Sequence, residues 1–248
     1  MRAVMLLHGF ATDNEDFKPL IPVVEKIYDY VWNENLPGHS KKESFKNFTV
    51  DSTFNFILNE YDKISKDYDR IDCIGFSMGG ALASYLQSVR KINRLVLLAP
   101  ANKYFNLKVV LNRAYVKYLD LLNKRKIDST YEMTLLDQRL QSIKADDKNS
   151  FKMAVHTLLP NYTIQNMITF SRIVKRCNKD LNEITPPTLI VWGNLDQLVP
   201  EESVRYDYSI CSNKEKKFFL VPDLSHLMLR SNEIDCILKE VEEFIKCE

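Results

Sequence analysis

Gly75-Phe76-Ser77-Met78-Gly79 directly follows the apolar run Arg70–Ile74. A serine with glycine two residues to either side, between a strand and a helix, is the pattern of a nucleophile elbow. The turn is strained, lifts the hydroxyl clear of the sheet, and has no room for side chains at the flanking positions. Leu82, Tyr85, Leu86 and Val89 continue at helical spacing, so the context is the required one. A serine hydroxyl is a weak nucleophile until a base takes its proton and an acid holds the base. His226 is the base candidate. It follows the last apolar run, in Val221-Pro222-Asp223-Leu224-Ser225-His226, and precedes the final helical pattern. Of the other histidines, His39 falls in a loop and His156 in the long middle segment. The acid candidate is Asp196, in Gly193-Asn194-Leu195-Asp196-Gln197-Leu198-Val199-Pro200, with Asp223 as the rival whose place favours a turn or cap. Two backbone N–H groups should hold an oxyanion: Met78, at the start of a helix, and Phe10, after the bend at Gly9. His8 then reads as a structural hydrogen-bonder rather than a base.

These residues must be brought together by a sheet. Short apolar runs at Ala3–Leu7, Ile27–Trp32, Arg70–Phe76, Ile92–Ala99, Thr188–Trp192 and Lys217–Val221 alternate with helical patterns. Near-continuous apolar runs of this kind predict a parallel sheet of about six strands covered on both faces, an α/β architecture. Each candidate then lies just beyond the carboxyl end of a strand. Asp51 can cap a helix carrying Phe54, Ile57, Leu58, Tyr61 and Ile64, and Asn232 one carrying Ile234, Ile237, Leu238, Val241 and Phe244. The alternation breaks between 102 and 184, a helix-rich stretch closed by Pro186-Pro187. Its length far exceeds an ordinary crossover, so it reads as a helical cap (102–184) inserted into a core made of 1–101 and 185–248.

Composition narrows the function classes. The 248 residues carry six glycines, against the ~17 that average usage would give. Five of the six, all but Gly38, fall at the predicted carboxyl edge. Lys and Arg total 34 against 33 Asp and Glu, which leaves no global basic field for nucleic acid. No apolar run is long enough for a membrane span, and the amino-terminal run is too short for a signal peptide. Five scattered cysteines without a CxxC pair suggest free thiols and a cytoplasmic protein. No metal-ligand spacing, P-loop or dinucleotide fingerprint is present, so neither metal nor organic cofactor is expected.

The order Ser77, Asp196, His226, with His8-Gly9-Phe10 upstream, resembles the α/β-hydrolase superfamily. The turn Gly193-x-x-Asp196-x-x-Val199-Pro200 is similar to its acid turn, and the insertion after the fourth strand to its cap. The loop Leu36-Pro37-Gly38-His39-Ser40 and the small size look like bacterial carboxylesterases and monoacylglycerol lipases, with Ser225 and Ser40 where those often carry glycine. The resemblance implies a sheet lacking the usual first two strands. It also implies hydrolysis of a small-molecule carboxylic ester through an acyl-enzyme. Thioesterase, amidase or C–C hydrolase activity on the same residues, or a non-catalytic binding module, are the alternatives. Cap aromatics such as Tyr104, Phe105, Tyr115, Tyr162 and Phe170 would line an apolar site.

Overall fold

The computed structural model describes residues 1–40, 43–103, 164–179, 181–196, 198–231 and 234–247. Six strands, β1 (Arg2–Leu7), β2 (Tyr30–Trp32), β3 (Arg70–Phe76), β4 (Leu95–Leu98), β5 (Thr188–Gly193) and β6 (Lys216–Val221), form one sheet. Its order is β2-β1-β3-β4-β5-β6, and every neighbouring pair is parallel. The predicted architecture is the observed one. The second and fourth strands are shorter than their apolar runs, because Ile27 and Ile92 belong to the approaches rather than to the ladder.

β4 and β5 are buried at every position, and β1 and β3 at all but the first. That is why they read as unbroken apolar runs: a parallel strand covered on both faces has no solvent side. β2 and β6 form the edges and are only partly buried, and Lys216 and Lys217 on β6 discourage pairing with another chain.

Besides a single helical turn at Ile21–Val24, five longer α-helices flank the sheet among the described residues: α1 (Val50–Ile64), α2 (Met78–Val89), α3 (Ile164–Asn178), α4 (Glu201–Ile210) and α5 (Ile234–Lys246). α1 buries Phe54, Ile57, Tyr61 and Ile64, as its spacing predicts. Its cap is Thr49, not Asp51. Thr49 Oγ1 accepts from the Ser52 N–H while Ser52 Oγ accepts from the Thr49 N–H, which satisfies two amino-terminal donors at once. Asp51 instead faces Arg176 of α3, 3.1 Å from its Nη1. α5 buries Ile237, Val241 and Ile245; its predicted cap, Asn232, lies outside the described residues. Most of the predicted cap also lies outside them. Its last described helix, α3, packs against α1 and α2.

The chain leaves β1 toward β2 and returns past it to β3, so the direction of winding reverses between β1 and β3. In open α/β sheets, ligands bind beyond the carboxyl ends of the strands at such a switch point. Leu7 pairs with Gly75, which sets the residues following β1 beside those following β3. The approach is close: a Cβ on Gly79 would stand 1.8 Å from the Leu7 carbonyl oxygen. Only glycine lets the first turn of α2 seat there.

Candidate active site

Ser77 joins β3 to α2 with φ 54° and ψ −115°, a left-handed conformation for a residue with a side chain. Strain of this kind costs roughly 1–3 kcal/mol and persists only where the surroundings enforce it. Here they do. The Ser77 N–H donates to the Leu98 carbonyl at 2.9 Å, and the Ser77 carbonyl accepts from Gly80 and Ala101, both at 3.0 Å.

The strained turn aims the hydroxyl at a histidine. Ser77 Oγ lies 2.9 Å from His226 Nε2, and His226 Nδ1 lies 2.7 Å from Asp196 Oδ2. All three side chains are buried. Asp196 is fixed from behind: its Oδ1 accepts from the N–H groups of Leu198 and Val199, each at 2.9 Å. The Trp192 indole N–H in turn donates to the Val199 carbonyl at 2.9 Å, bracing the same turn. The acid and histidine loops are laced together, Leu195 N–H to the Leu224 carbonyl at 3.0 Å and Asp223 N–H to the Asn194 side-chain Oδ1 at 2.7 Å. Asp223 is thus an exposed turn residue with φ 57°. Asp196 is the carboxylate at the histidine.

This arrangement sets the proton positions. A carboxylate at Nδ1 accepts, so Nδ1 carries the proton and Nε2 is free to accept from Ser77. A hydroxyl so placed can lose its proton to imidazole while its oxygen attacks a carbonyl carbon, and the carboxylate stabilises the imidazolium that forms. Met78 opens α2, where the first N–H groups have no partner within the helix. Phe10 lies beyond β1 in the adjacent loop.

The side chain of Phe10 is enclosed. Its ring stacks on Phe170 of α3 at 4.9 Å between centroids and touches Phe48 at 5.5 Å, Phe45 at 6.0 Å and His39 at 6.5 Å. Gly38 and His39 build this box. Gly38 has φ 78°, and a Cβ there would meet the Phe48 backbone nitrogen at 2.6 Å, so the loop folds flat onto Phe48 and delivers His39 to the rings. Of the aromatics expected to line the site from the insertion, Phe170 is described; Tyr104, Phe105, Tyr115 and Tyr162 lie outside the described residues, as does His156.

Sequence reasoning missed a buried ion pair. Arg230, four residues after His226, donates from Nε to Asp16 Oδ1 at 2.8 Å and again from Nη2. It ties the histidine loop to the loop carrying Phe10. No local motif marks it, since the partners are 214 residues apart.

His8 is a structural residue. Its Nδ1–H donates to the Gly9 carbonyl and its Nε2 accepts from the Leu36 N–H, both at 2.9 Å. Complete burial pushes its pKa down from 6.5 to about 4. The unfolded chain therefore takes up a proton between those values that the folded chain refuses. Stability is full above pH 6.5 and falls as pH drops toward 4, by on the order of 3 kcal/mol from this group. Urea midpoints measured at pH 7 and pH 4.5 should show that fall. In His8→Gln, which keeps an acceptor for Leu36, the drop should shrink; an identical drop would remove His8 as its source.

A family model described as serine aminopeptidase, S33, matches residues 2–235. The chain belongs to that α/β-hydrolase family. The hydrolase is 26% identical over 228 residues to a Mycoplasma genitalium protein named as an esterase/lipase, covering 88% of this chain and 80% of that one. A 2-hydroxy-6-oxononadienedioate/2-hydroxy-6-oxononatrienedioate hydrolase of Cupriavidus pinatubonensis is 24% identical over 215 residues, 79% of this chain and 71% of that one. The monoacylglycerol lipase of Paleococcus ferrophilus superposes with a TM-score of 0.72 at 17% identity, over 98% of this hydrolase and 93% of the lipase, a likeness of fold. Among the described residues of the hydrolase, no helix is long and apolar enough to cross a membrane, and no group of three or more His, Cys, Asp or Glu could hold a metal.

Proposed function

We propose that the protein hydrolyses carboxylic esters of small to medium acyl groups through an acyl-enzyme on Ser77. The observation that carries this reading is the continuous hydrogen-bonded chain from Ser77 Oγ through His226 to Asp196. Ser77 Oγ attacks the ester carbonyl as His226 Nε2 takes its proton. The tetrahedral oxyanion is held by the N–H groups of Phe10 and Met78, where donors fixed in advance are worth most. His226 then gives its proton to the departing alcohol, and Asp196 holds the imidazole in the required tautomer throughout. Water, deprotonated by His226, attacks the acyl-enzyme; the acid leaves and Ser77 recovers its proton. Residues 102–184 form the cap over this site, a reading supported by the stacking of Phe170 on Phe10.

A second reading is hydrolysis of an activated carbon–carbon bond, favoured by the similarity to the Cupriavidus hydrolase. One experiment separates them. A series of p-nitrophenyl esters from acetate to palmitate is assayed beside a 2-hydroxy-6-oxodienoate. Ester turnover with an optimum at short or medium chains is expected. Turnover of the dienoate with none of any ester would reject the ester reading.

A further inference from the structure

A carboxyl outside the Ser77–His226–Asp196 chain has no charged partner among the described residues. Asp207 of α4 is fully buried. Its Oδ1 accepts from Asn102 Nδ2 at 2.7 Å. The other hydrogen of that amide reaches Ser84 Oγ of α2 at 3.0 Å, and the Ser84 hydroxyl donates to the Gly80 carbonyl at 3.0 Å. Two oxygens remain over: Asp207 Oδ2 and Asn102 Oδ1 are both buried without a hydrogen-bond donor.

When the amide hydrogen cis to the carbonyl makes the N–H···O bond to a carboxyl, the second oxygens of the two groups fall on the same side. An ionised carboxylate would set its charge against a carbonyl oxygen with no water between. A carboxylic acid satisfies both atoms at once, because its O–H donates to the amide oxygen. The surroundings agree. Lys216 of β6 spends its ammonium on the carbonyls of Tyr208 and Cys211, at 3.2 and 2.8 Å, and Lys103 Nζ stands 3.9 Å over the Tyr206 ring. Cys211 Sγ donates to the Asp207 carbonyl, and α3 contributes the neutral Asn178. Burial pushes the Asp207 carboxyl well above the usual carboxylate range, and the Asn102 bond offsets this only in part.

Asn102 is also where the nucleophile turn is anchored. It ends the bend that follows β4, in which Ala99 has φ 43°. Leu98 and Ala101 of that segment hold the backbone of Ser77 on either side. The Asn102 carbonyl accepts from Asn178 Nδ2 of α3 at 2.5 Å.

We propose that Asp207 is kept as a neutral carboxylic acid, that it closes a two-bond ring with the Asn102 carboxamide, and that this pair positions Ser77 through the Ala99–Asn102 bend. The last part rests on the reading of Ser77 as nucleophile; the acid pair does not.

Each part has its own readout. The infrared difference spectrum between wild type and Asp207→Asn at neutral pH should contain a carboxylic-acid C=O band that the variant lacks. Absence of that band overturns the neutral acid. Asparagine at 207 still offers one N–H and one C=O to Asn102, so the variant should fold and keep kcat within about twofold. Asn102→Leu breaks the ring and should lower kcat about 10- to 100-fold at unchanged KM, as a small misplacement of a nucleophile does. Wild-type kcat in folded Asn102→Leu overturns the positioning role. The same role can be read without a broken ring. Raising the pH until the acid ionises should lower wild-type kcat reversibly and spare Asp207→Asn, and parallel profiles would count against it. Ester turnover in Ser77→Ala at a tenth or more of the wild-type rate would fault the nucleophile assignment and leave the infrared result standing.

Discussion

Ser77→Ala is expected to lower kcat on p-nitrophenyl esters by roughly a million-fold, the loss seen when a serine hydrolase is stripped of its nucleophile. The substitution removes one oxygen and leaves the backbone demand unchanged, since alanine keeps the Cβ that already tolerates φ 54°. The hydrogen bonds that hold the turn come from backbone groups of Leu98, Gly80 and Ala101, so none is lost. Stability and KM should therefore stay close to wild type, and the whole effect should fall on kcat. Some rate should persist, because the oxyanion donors and the bound geometry survive and contribute roughly 10³–10⁴ over water by themselves. Labelling by a fluorophosphonate, which needs the oxygen itself, should vanish entirely. Steady-state kinetics with a urea melt as the control decides it. A folded variant that retains a tenth of the wild-type rate would end the proposal that Ser77 forms the acyl-enzyme.

The residues in that experiment were legible because their signals are short. Gly75, Ser77 and Gly79 lie within five positions, and Gly193, Asp196 and Val199 within seven, each group directly after an apolar run. A parallel sheet does the rest, gathering the ends of β1, β3, β5 and β6 along one edge. Features made by distant partners carried no such signal. Asn102 and Asp207 are 105 residues apart, and each on its own looks like an ordinary polar surface residue. Asp16 and Arg230 are hidden for the same reason. Asp51 was misread as a cap because aspartate is a strong capping residue. Thr49 takes the position through a reciprocal bond with Ser52, a choice that depends on the backbone entering the helix. Gly38 was visible as an anomaly, but the ring box it serves depends on Phe48, ten residues on, and on Phe170 from another part of the chain.

Asp196→Asn should cost roughly 10⁴-fold in kcat while leaving the fold intact, as happens when the acid of such a relay is made neutral. The reason lies in the far side of the carboxylate. Asp196 Oδ1 accepts two backbone N–H groups, from Leu198 and Val199. An asparagine has only one oxygen, and those two donors claim it. Its NH2 must then occupy the Oδ2 position, 2.7 Å from His226 Nδ1. Two donors cannot face each other there, so the imidazole moves its proton to Nε2 and presents a bare Nδ1 to the amide. Nε2–H now points at Ser77 Oγ and has no lone pair to receive the serine proton. The turn keeps both backbone bonds, so a urea midpoint near wild type is expected. Asp196→Ala differs in kind, because it abandons the buried Val199 N–H, at about 1–3 kcal/mol, together with the half-buried Leu198 N–H, and confuses folding with chemistry. Asp223→Asn is the matched control: that carboxylate is exposed on the neighbouring turn and should leave kcat within about twofold of wild type. If Asp196→Asn fell by less than about tenfold, the tautomer argument would be wrong, and His226 would have to be oriented by the Phe76 ring and its own loop instead.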